Sequence, residues 1–399
     1  MRQDGSFAEK QQSHRALLFL VPSRRLVGIR GHDCIDARKR PCLHRVEQAI
    51  RVGPVPLARP DQYAAMLDAA AAGGFAYPAV NVTSSQTFNA ALDGFAAAGS
   101  DGIVQVTVGG AGYLSGGGNA HALAGARALA LMARELAARV PVLVALHTDH
   151  CPPAQEESFL RPLIGASRER RAAGEPPLFC SHMFDGSTLP LNENLRRSAE
   201  LLAFCRDADI VLELEVGVVG GEEDGIGSDG AAGRYTTSDD LLRVARAVGT
   251  GERGRYLLAA TFGNVHGLTA PGAVELRPEI LRDGQEMLAR EWPGARFDYV
   301  FHGSSGSAAE DLAAAVSYGV VKVNLDSEAQ YAFTRAAAGH MFTEYDGVLM
   351  TDGGVGRKGA YDPRAWGAKA QDAMAERVAG ACRQLGSAGR SRSTTASAR

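Results

Sequence analysis

Val142-Leu143-Val144-Ala145-Leu146 runs directly into His147-Thr148-Asp149-His150. An apolar run of this length that closes in polar groups reads as a buried strand delivering chemistry at its C-terminal tip. Asp149 and His150 are adjacent, so on an extended strand they face opposite sides. At a strand end, where the chain turns into a loop, both can still be presented around one pocket. Alone, the motif is equally a capped loop with a satisfied histidine. Two further histidines close β-like runs, His266 in Thr261-Phe262-Gly263-Asn264-Val265-His266-Gly267 and His302 in Tyr299-Val300-Phe301-His302-Gly303. Three strand-end histidines are the usual protein supply for an open catalytic Zn²⁺ site.

Outward from these strands, eight short β-like runs can be counted: Phe75–Asn81, Gly102–Val108, Pro141–His147, Leu178–Met183, Ile210–Val216, Tyr256–Gly263, Tyr299–Gly303 and Val320–Leu325. Alanine-rich or amphipathic stretches such as Ala120–Ala138, Asn192–Arg206, Ser238–Val248, Pro278–Glu291 and Ala308–Tyr318 separate them. Strand–helix alternation repeated eight times, with near-continuous apolar strands, predicts an α/β fold of the (β/α)8 TIM barrel type. A doubly wound open sheet is the alternative, but the first β–α junction carries no G-x-G-x-x-G.

The formal charge of −3 is unevenly spread: residues 1–51 carry +6 and 386–399 carry +3, leaving −12 on the body between them. An acidic body argues against nucleic acid as the partner. No apolar stretch reaches transmembrane length, and Ala16 to Val21 lacks a signal-peptide cleavage site, so no membrane association and a cytoplasmic location are expected. The six cysteines show no C-x-x-C pairing and read as cytosolic thiols. Residues 1–53 have neither helical nor strand period and are expected to be a disordered basic extension. The Ser/Arg/Ala-rich stretch 386–399 is expected to be a disordered tail, which leaves 54–385 as the barrel domain. Asp61 is the expected cap of a first helix through Met66 and Leu67.

Glu213 and Glu215, in Leu212-Glu213-Leu214-Glu215-Val216-Gly217, lie two apart and so face one side of a strand. Acids within an apolar strand are costly unless paired or metal-bound. The glycine-rich acidic loop that follows, through Asp229, is either a solvated surface loop or a mobile lid carrying a carboxylate base. Gly303-Ser304-Ser305-Gly306-Ser307 opens onto a helix N-terminus and Asn324-Leu325-Asp326-Ser327 follows the last strand. The loops after strands seven and eight are where barrels often hold phosphate. Arg364, near Lys358, is either a second cationic phosphate contact or a surface turn after Pro363.

These motifs together resemble the class II (zinc-dependent) fructose-1,6-bisphosphate aldolases of the longer class IIA type. Two signatures carry the likeness, Val144-Ala145-Leu146-His147-Thr148-Asp149-His150-Cys151 and Leu212 through Glu223, joined by Thr261 to Gly267, Phe301 to Ser307 and Lys322 to Asp326. The resemblance spans about residues 55–385. It implies a carbon–carbon lyase of glycolysis and gluconeogenesis that splits a sugar bisphosphate into triose phosphates. Catalytic Zn²⁺ is then held by His150, His266 and His302, with Glu215 and Asp185 at positions that hold the metal in a buried, inactive placement. Asp149 matches the acid–base group at the C4 oxygen, Glu223 the mobile base at the carbon beside the ketone, and Asn324 the amide that steadies the enediolate. Gly267, Gly303, Ser305, Asp326 and Ser327 match groups around the ketose phosphate, near a monovalent cation. Asn81, Thr107, Lys358 and Arg364 match positions around the other end of the substrate. A homodimer is implied, with Arg364 reaching the neighbouring subunit's phosphate site. Thr107 stands where serine is usual, and Ser304 replaces a common glycine.

The residues support this chemistry beside the resemblance. Retro-aldol cleavage needs an electron sink, and Lys322 is the only lysine within a candidate strand for a Schiff base. Three imidazoles on Zn²⁺ supply a Lewis acid instead. A tagatose-1,6-bisphosphate aldolase shares metal and mechanism, and a barrel metallohydrolase would use the metal's water as nucleophile. A non-enzymatic binding role through the basic arm would leave the catalytic set without purpose.

Overall fold

Strands that lie in a closed parallel barrel are covered on both faces, by the interior on one side and by helices on the other, so their sequences are apolar throughout rather than alternating. All eight expected runs form such strands: β1 Tyr77–Asn81, β2 Gly102–Val106, β3 Val144–Thr148, β4 Ser181–Phe184, β5 Val211–Val216, β6 Tyr256–Ala260, β7 Tyr299–Phe301 and β8 Val320–Leu325. Each pairs in parallel with its sequence neighbour. β8 returns to β1 with Tyr77 opposite Lys322 and Ala79 opposite Asn324, which closes the (β/α)8 barrel. This computed structural model describes residues 57–219, 221–223, 226–228, 235–267, 275–350 and 354–395, with backbone alone for the short segments between 220 and 234. The expected N-terminal extension, residues 1–53, lies outside them.

The connecting helices start and stop on local signals. Ser84 caps the helix Ser85–Ala98 by accepting from the Thr87 amide, and Gly99 ends it in the left-handed region at φ 58°. Thr237 caps Ser238–Val248 in a reciprocal box with Asp240. The first helix, Pro60–Gly73, begins two residues earlier than a cap at Asp61 implies: Arg59 holds the cap position, and Asp61 lies in the first turn, paired with Arg59. Its buried face, Tyr63, Met66, Leu67 and Ala70, has the i, i+3, i+4, i+7 spacing of one helical stripe.

That stripe plugs one end of the barrel. It packs with Tyr77, Ala79, Ile103, Leu143, Ala145, Cys180, Val211, Leu257 and Val321 in an apolar cluster separate from the one between strands and outer helices. These residues come from the early part of each strand, so the N-terminal half of the interior is filled with hydrocarbon. Burying a side chain such as Leu67 there stabilises by roughly 1.5–3 kcal/mol. Two residues further along the strands the interior turns polar. Among the described residues, no helix is long and apolar enough to cross a membrane.

The expected disordered tail is corrected by its hydrogen bonds over 386–395; residues 396–399 lie outside the described residues. The amides of Gly389 and Ser391 donate to the carbonyls of Ala98 and Gly99. Asp101, wholly buried, accepts from Ser391 Oγ at 2.6 Å, the Arg392 amide at 2.9 Å and the Leu143 amide at 2.8 Å. Small Ser and Gly residues read as low complexity, but their size lets the backbone lie flat against the barrel and cap a carboxylate. Truncation after Leu385 should lower unfolding stability by about 1–3 kcal/mol, the range for charged hydrogen bonds exchanged for water. Urea unfolding of the truncated and full chains measures the difference, and equal midpoints would refute the assigned role of the tail.

Candidate active site

His150 follows β3, His266 lies in the loop after β6, and His302 directly follows β7, so all three stand at C-terminal strand ends. One donor nitrogen from each lies within 4.8 Å of the other two. The ring centroids of His150 and His302 are 4.7 Å apart, and those of His150 and His266 5.2 Å. His150 adopts a positive φ of 27°, rare for a side chain with a Cβ. That turn lets adjacent Asp149 and His150 serve one site despite the strand alternation. Gly303, at φ 61°, allows the other close approach: a Cβ there would sit 2.5 Å from the Val265 carbonyl oxygen. Asn264 ties the two strand ends together, donating to the His302 carbonyl at 2.8 Å and accepting from the Phe262 amide at 2.9 Å.

The donor set fits a metal ion. His302 Nε2 lies 2.8 Å from Glu213 Oε1, and a carboxylate only accepts, so Nε2 carries the proton and Nδ1 points into the cluster. Nδ1 and Glu215 Oε2 face each other at 3.3 Å, both buried. His150 Nδ1 donates to Asp185 Oδ2 at 3.0 Å, leaving Nε2 for a ligand. Carboxylates that hold the far nitrogen of an imidazole in this way orient histidines on metals. Burial pulls the charge of His302 down, but Glu213 and Glu215 outweigh it and raise the group to about 9. The pocket therefore favours a cation on Nδ1. Asp185, opposed by burial, is held well below the usual carboxylate range by hydrogen bonds from His150 and Ser187. His150, Asp185 and Glu215 form a second overlapping donor group, which is where the sequence reading put the alternative metal position.

Beneath this cluster lies a polar layer of which sequence reasoning named Asn81, Asp149, Glu213 and Asn324 but missed the parts of Gln105, His147 and Lys322. Asp149, wholly buried, accepts from Asn81 Nδ2 at 3.0 Å, Gln105 Nε2 at 2.9 Å and Asn324 Nδ2 at 3.1 Å. Lys322 Nζ lies 3.0 Å from Glu213 Oε2 and donates to Asn324 Oδ1 at 2.6 Å. His147 Nε2 lies 3.4 Å from Glu213, and its Nδ1 meets Ser181 Oγ at 2.8 Å. His147, Glu213 and Lys322 stand two residues before Asp149, Glu215 and Asn324 on their strands. The signal was a polar residue at i−2 from each strand-end candidate, on the same face. Cys151 packs in the outer core, where burial pushes its thiol up to about 12.

A cavity beside the histidines is lined by His266, Gly267, Gly303, Ser304, Ser305, Asn324, Asp326 and Ser327, among others. The expected phosphate residues are thus brought together, at the start of the helix Ser327–Thr343. Ser304 Oγ donates to the Asn324 carbonyl and joins the two loops. Thr107 caps the helix Val108–Ser115 by accepting from the Gly110 amide at 3.0 Å, which leaves its O–H proton to donate. Lys358 and Arg364 do not line the cavity, and both are exposed. Arg364 Nη2 is 2.7 Å from Asp362. Glu223 lies on Gly221–Glu223, paired antiparallel with Ile226–Ser228, so the acidic loop holds a short hairpin. Its side chain, and the loop through Asp229, lie outside the described residues.

Burial holds His147 and His182 neutral, with both groups pushed down to about 3. The unfolded chain takes up protons at these histidines below about 6.5 while the native state does not. Their contribution to stability is complete above that pH and is lost as pH falls toward 3. Urea midpoints should fall between pH 7 and pH 5, and His182→Gln should weaken that dependence by roughly half, one proton of two. An unchanged slope in the variant would show that His182 titrates normally.

The sequence model of the family Fructose-bisphosphate aldolase class-II matches residues 61–390. The fructose-bisphosphate aldolase of Streptomyces galbus is 55% identical over 336 residues, 84% of this chain and 99% of that protein. That of Mycobacterium tuberculosis is 51% identical over 341 residues, again 84% and 99%. The solved structure of fructose-bisphosphate aldolase from Campylobacter jejuni superposes with a TM-score of 0.73 at 32% identity, covering 86% of this chain and 99% of that one. The histidine cluster, the cavity beside it and these likenesses agree, and the chain belongs to the class II fructose-bisphosphate aldolases, a metal-dependent family.

Proposed function

We propose that this chain catalyses the reversible retro-aldol cleavage of fructose 1,6-bisphosphate to dihydroxyacetone phosphate and glyceraldehyde 3-phosphate, in the cytoplasm, with Zn²⁺ as its catalytic metal. The observation that carries the reading is the convergence of His150, His266 and His302 beside a Gly/Ser-lined cavity, with the buried carboxylate of Asp149 next to His150 in sequence. Bound by the three imidazoles, Zn²⁺ would act as a Lewis acid on the ketone oxygen and its neighbouring hydroxyl.

The remaining work falls to side chains. Asp149 removes the proton of the C4 hydroxyl; the C3–C4 bond breaks, its electron pair passes toward the ketone, and the C4 oxygen becomes the aldehyde of glyceraldehyde 3-phosphate. Three amide donors fix the Asp149 carboxylate, so it needs no reorganisation for this transfer. Asn324 Nδ2 steadies the enediolate, and Glu223 returns a proton to C3, completing dihydroxyacetone phosphate. Gly267, Gly303, Ser305, Asp326 and Ser327 hold the ketose phosphate, with a monovalent cation beside them; Asn81 and Thr107 lie toward the other end. Asp185 and Glu215 offer the metal its inactive resting position.

A homodimer is part of the proposal. Phe342 and Val355 are 80% and 90% exposed, and Leu349 and Met350 more than half exposed, on the excursion between Ser327 and Tyr361. Side chains of this kind favour cover by a second copy. Arg364, paired with Asp362 in its own chain, then reaches the neighbouring subunit's phosphate site across that interface, and Lys358 lies toward the substrate's other end.

Chelation should abolish cleavage and Zn²⁺ restore it; full activity of metal-free protein would overturn the reading. Asp149→Ala should stop cleavage of fructose 1,6-bisphosphate yet leave proton exchange on dihydroxyacetone phosphate largely intact, whereas Glu223→Ala should suppress the exchange. Each change should cost about 10²–10⁴-fold in its own step. Equal losses of both activities in both variants would remove the division of roles, and faster cleavage of the C4 epimer would replace fructose with tagatose bisphosphate.

A further inference from the structure

Lys322 and Glu213 are fully buried, lie between the apolar plug and the histidine cluster, and take no part in the proton transfers above. We infer that this ion pair is a positioning device that sets two groups of the site at once, the tautomer of His302 and the amide orientation of Asn324; the inference rests on the roles proposed for those two residues.

The geometry assigns each task. Glu213 Oε1 receives His302 Nε2–H at 2.8 Å, which commits the lone pair of Nδ1 to the metal side. Lys322 Nζ, with three protons and no acceptor, reaches Glu213 Oε2 at 3.0 Å, Oε1 at 3.2 Å and Asn324 Oδ1 at 2.6 Å. An ammonium so close to one end of an amide forces that end to be oxygen. The NH₂ of Asn324 is therefore turned toward Asp149, 3.1 Å away, where a donor to the substrate's oxygen is required. With the amide flipped, its NH₂ would meet an ammonium and its oxygen would meet a carboxylate, two repulsive contacts between buried groups. His147, Asp149 and Glu213 also converge like a second metal site, but the Lys322 ammonium already supplies the positive charge beside Glu213.

A buried ion pair could equally be retained for the fold alone, so the test must separate the two roles. Removing one partner strands a buried charge, whereas replacing both by apolar side chains of similar size is often neutral for stability. The double variant Lys322→Met/Glu213→Met should therefore unfold at a urea concentration near that of the wild type. It should bind Zn²⁺, measured by competition with a chromophoric chelator, about 10–100-fold more weakly, the usual cost of losing a carboxylate behind a ligating histidine. Its kcat should fall while KM for fructose 1,6-bisphosphate stays near the wild-type value. Glu213→Gln, which keeps an acceptor for His302 Nε2–H, should lose much less zinc affinity than Glu213→Met. A folded double variant with wild-type zinc affinity and kcat would overturn the inference. If the double variant does not fold, equal zinc affinities for Glu213→Gln and Glu213→Met would do the same. Wild-type protein that keeps full activity under chelation would instead sink the functional reading itself, so the two failures are distinguishable.

Discussion

A carboxylate in the centre of a closed barrel is the constraint around which this structure is organised. Glu213 is wholly removed from water, and an isolated buried carboxylate would cost several kcal/mol even after the protein relaxes. The cost is offset by Lys322 from β8, His302 after β7 and His147 from β3, all within 3.4 Å. These partners arrive from three other strands, so the charge can be satisfied only if β3, β5, β7 and β8 close in one register. Apolar side chains tolerate a slip at modest cost, because one hydrocarbon contact resembles another. A buried ionic cluster does not. The polar layer thus contributes less to the magnitude of stability than to the choice of one arrangement, and that arrangement is the one that aims His302 and Asn324.

The barrel interior divides along the strands into two halves with different duties. Tyr63, Met66 and Leu67 seal the N-terminal half with side chains from a helix that precedes β1, and the surrounding strand residues are hydrocarbon. Above them, Asn81, Gln105, Asp149, Glu215, His302 and Asn324 face inward from six strands or strand ends. The period of two makes this possible, since one face of a strand can be Leu257 and Ala259 low in the barrel and Thr261 at its rim. Parallel strands all present the same end, so the polar positions that face the interior gather toward the C-terminal ends of the strands.

The strands were legible because burial on both sides leaves continuous apolar runs, and the three histidines because each interrupts such a run at its end. Glu213 was visible as an acid in an apolar strand, but its partners were not. Gln105 and Lys322 are polar residues within largely apolar runs, and nothing local says that one will meet Asp149 after β3 and the other Glu213 from β5. The tail misled for the opposite reason. Its composition is that of a solvated segment, while its fixation depends on the carbonyls of Ala98 and Gly99 and on the Asp101 carboxylate, distant in sequence. The helix start was misplaced by two residues because Gln62, accepting from the Arg59 amide, fixes the cap at Arg59 rather than Asp61.

Strain at His150 and close approach at Gly303 have a shared origin in this layout. A three-imidazole cluster needs donors from β3, the β6 loop and β7 brought to within about 3.4 Å of one another around a tetrahedral ion. Barrel strands alone hold neighbouring chains nearly 5 Å apart, and β3 and β7 are not neighbours. The chain must therefore leave strand geometry at the rim. At His150 it does so by a positive φ that turns the imidazole inward beside Asp149; at Gly303 it does so by giving up a side chain that would strike Val265. The His150 conformation costs conformational energy, whereas glycine adopts its positive φ without a Cβ penalty. The arrangement of the three imidazoles is thus set by the chain itself, on the apolar plug beneath it.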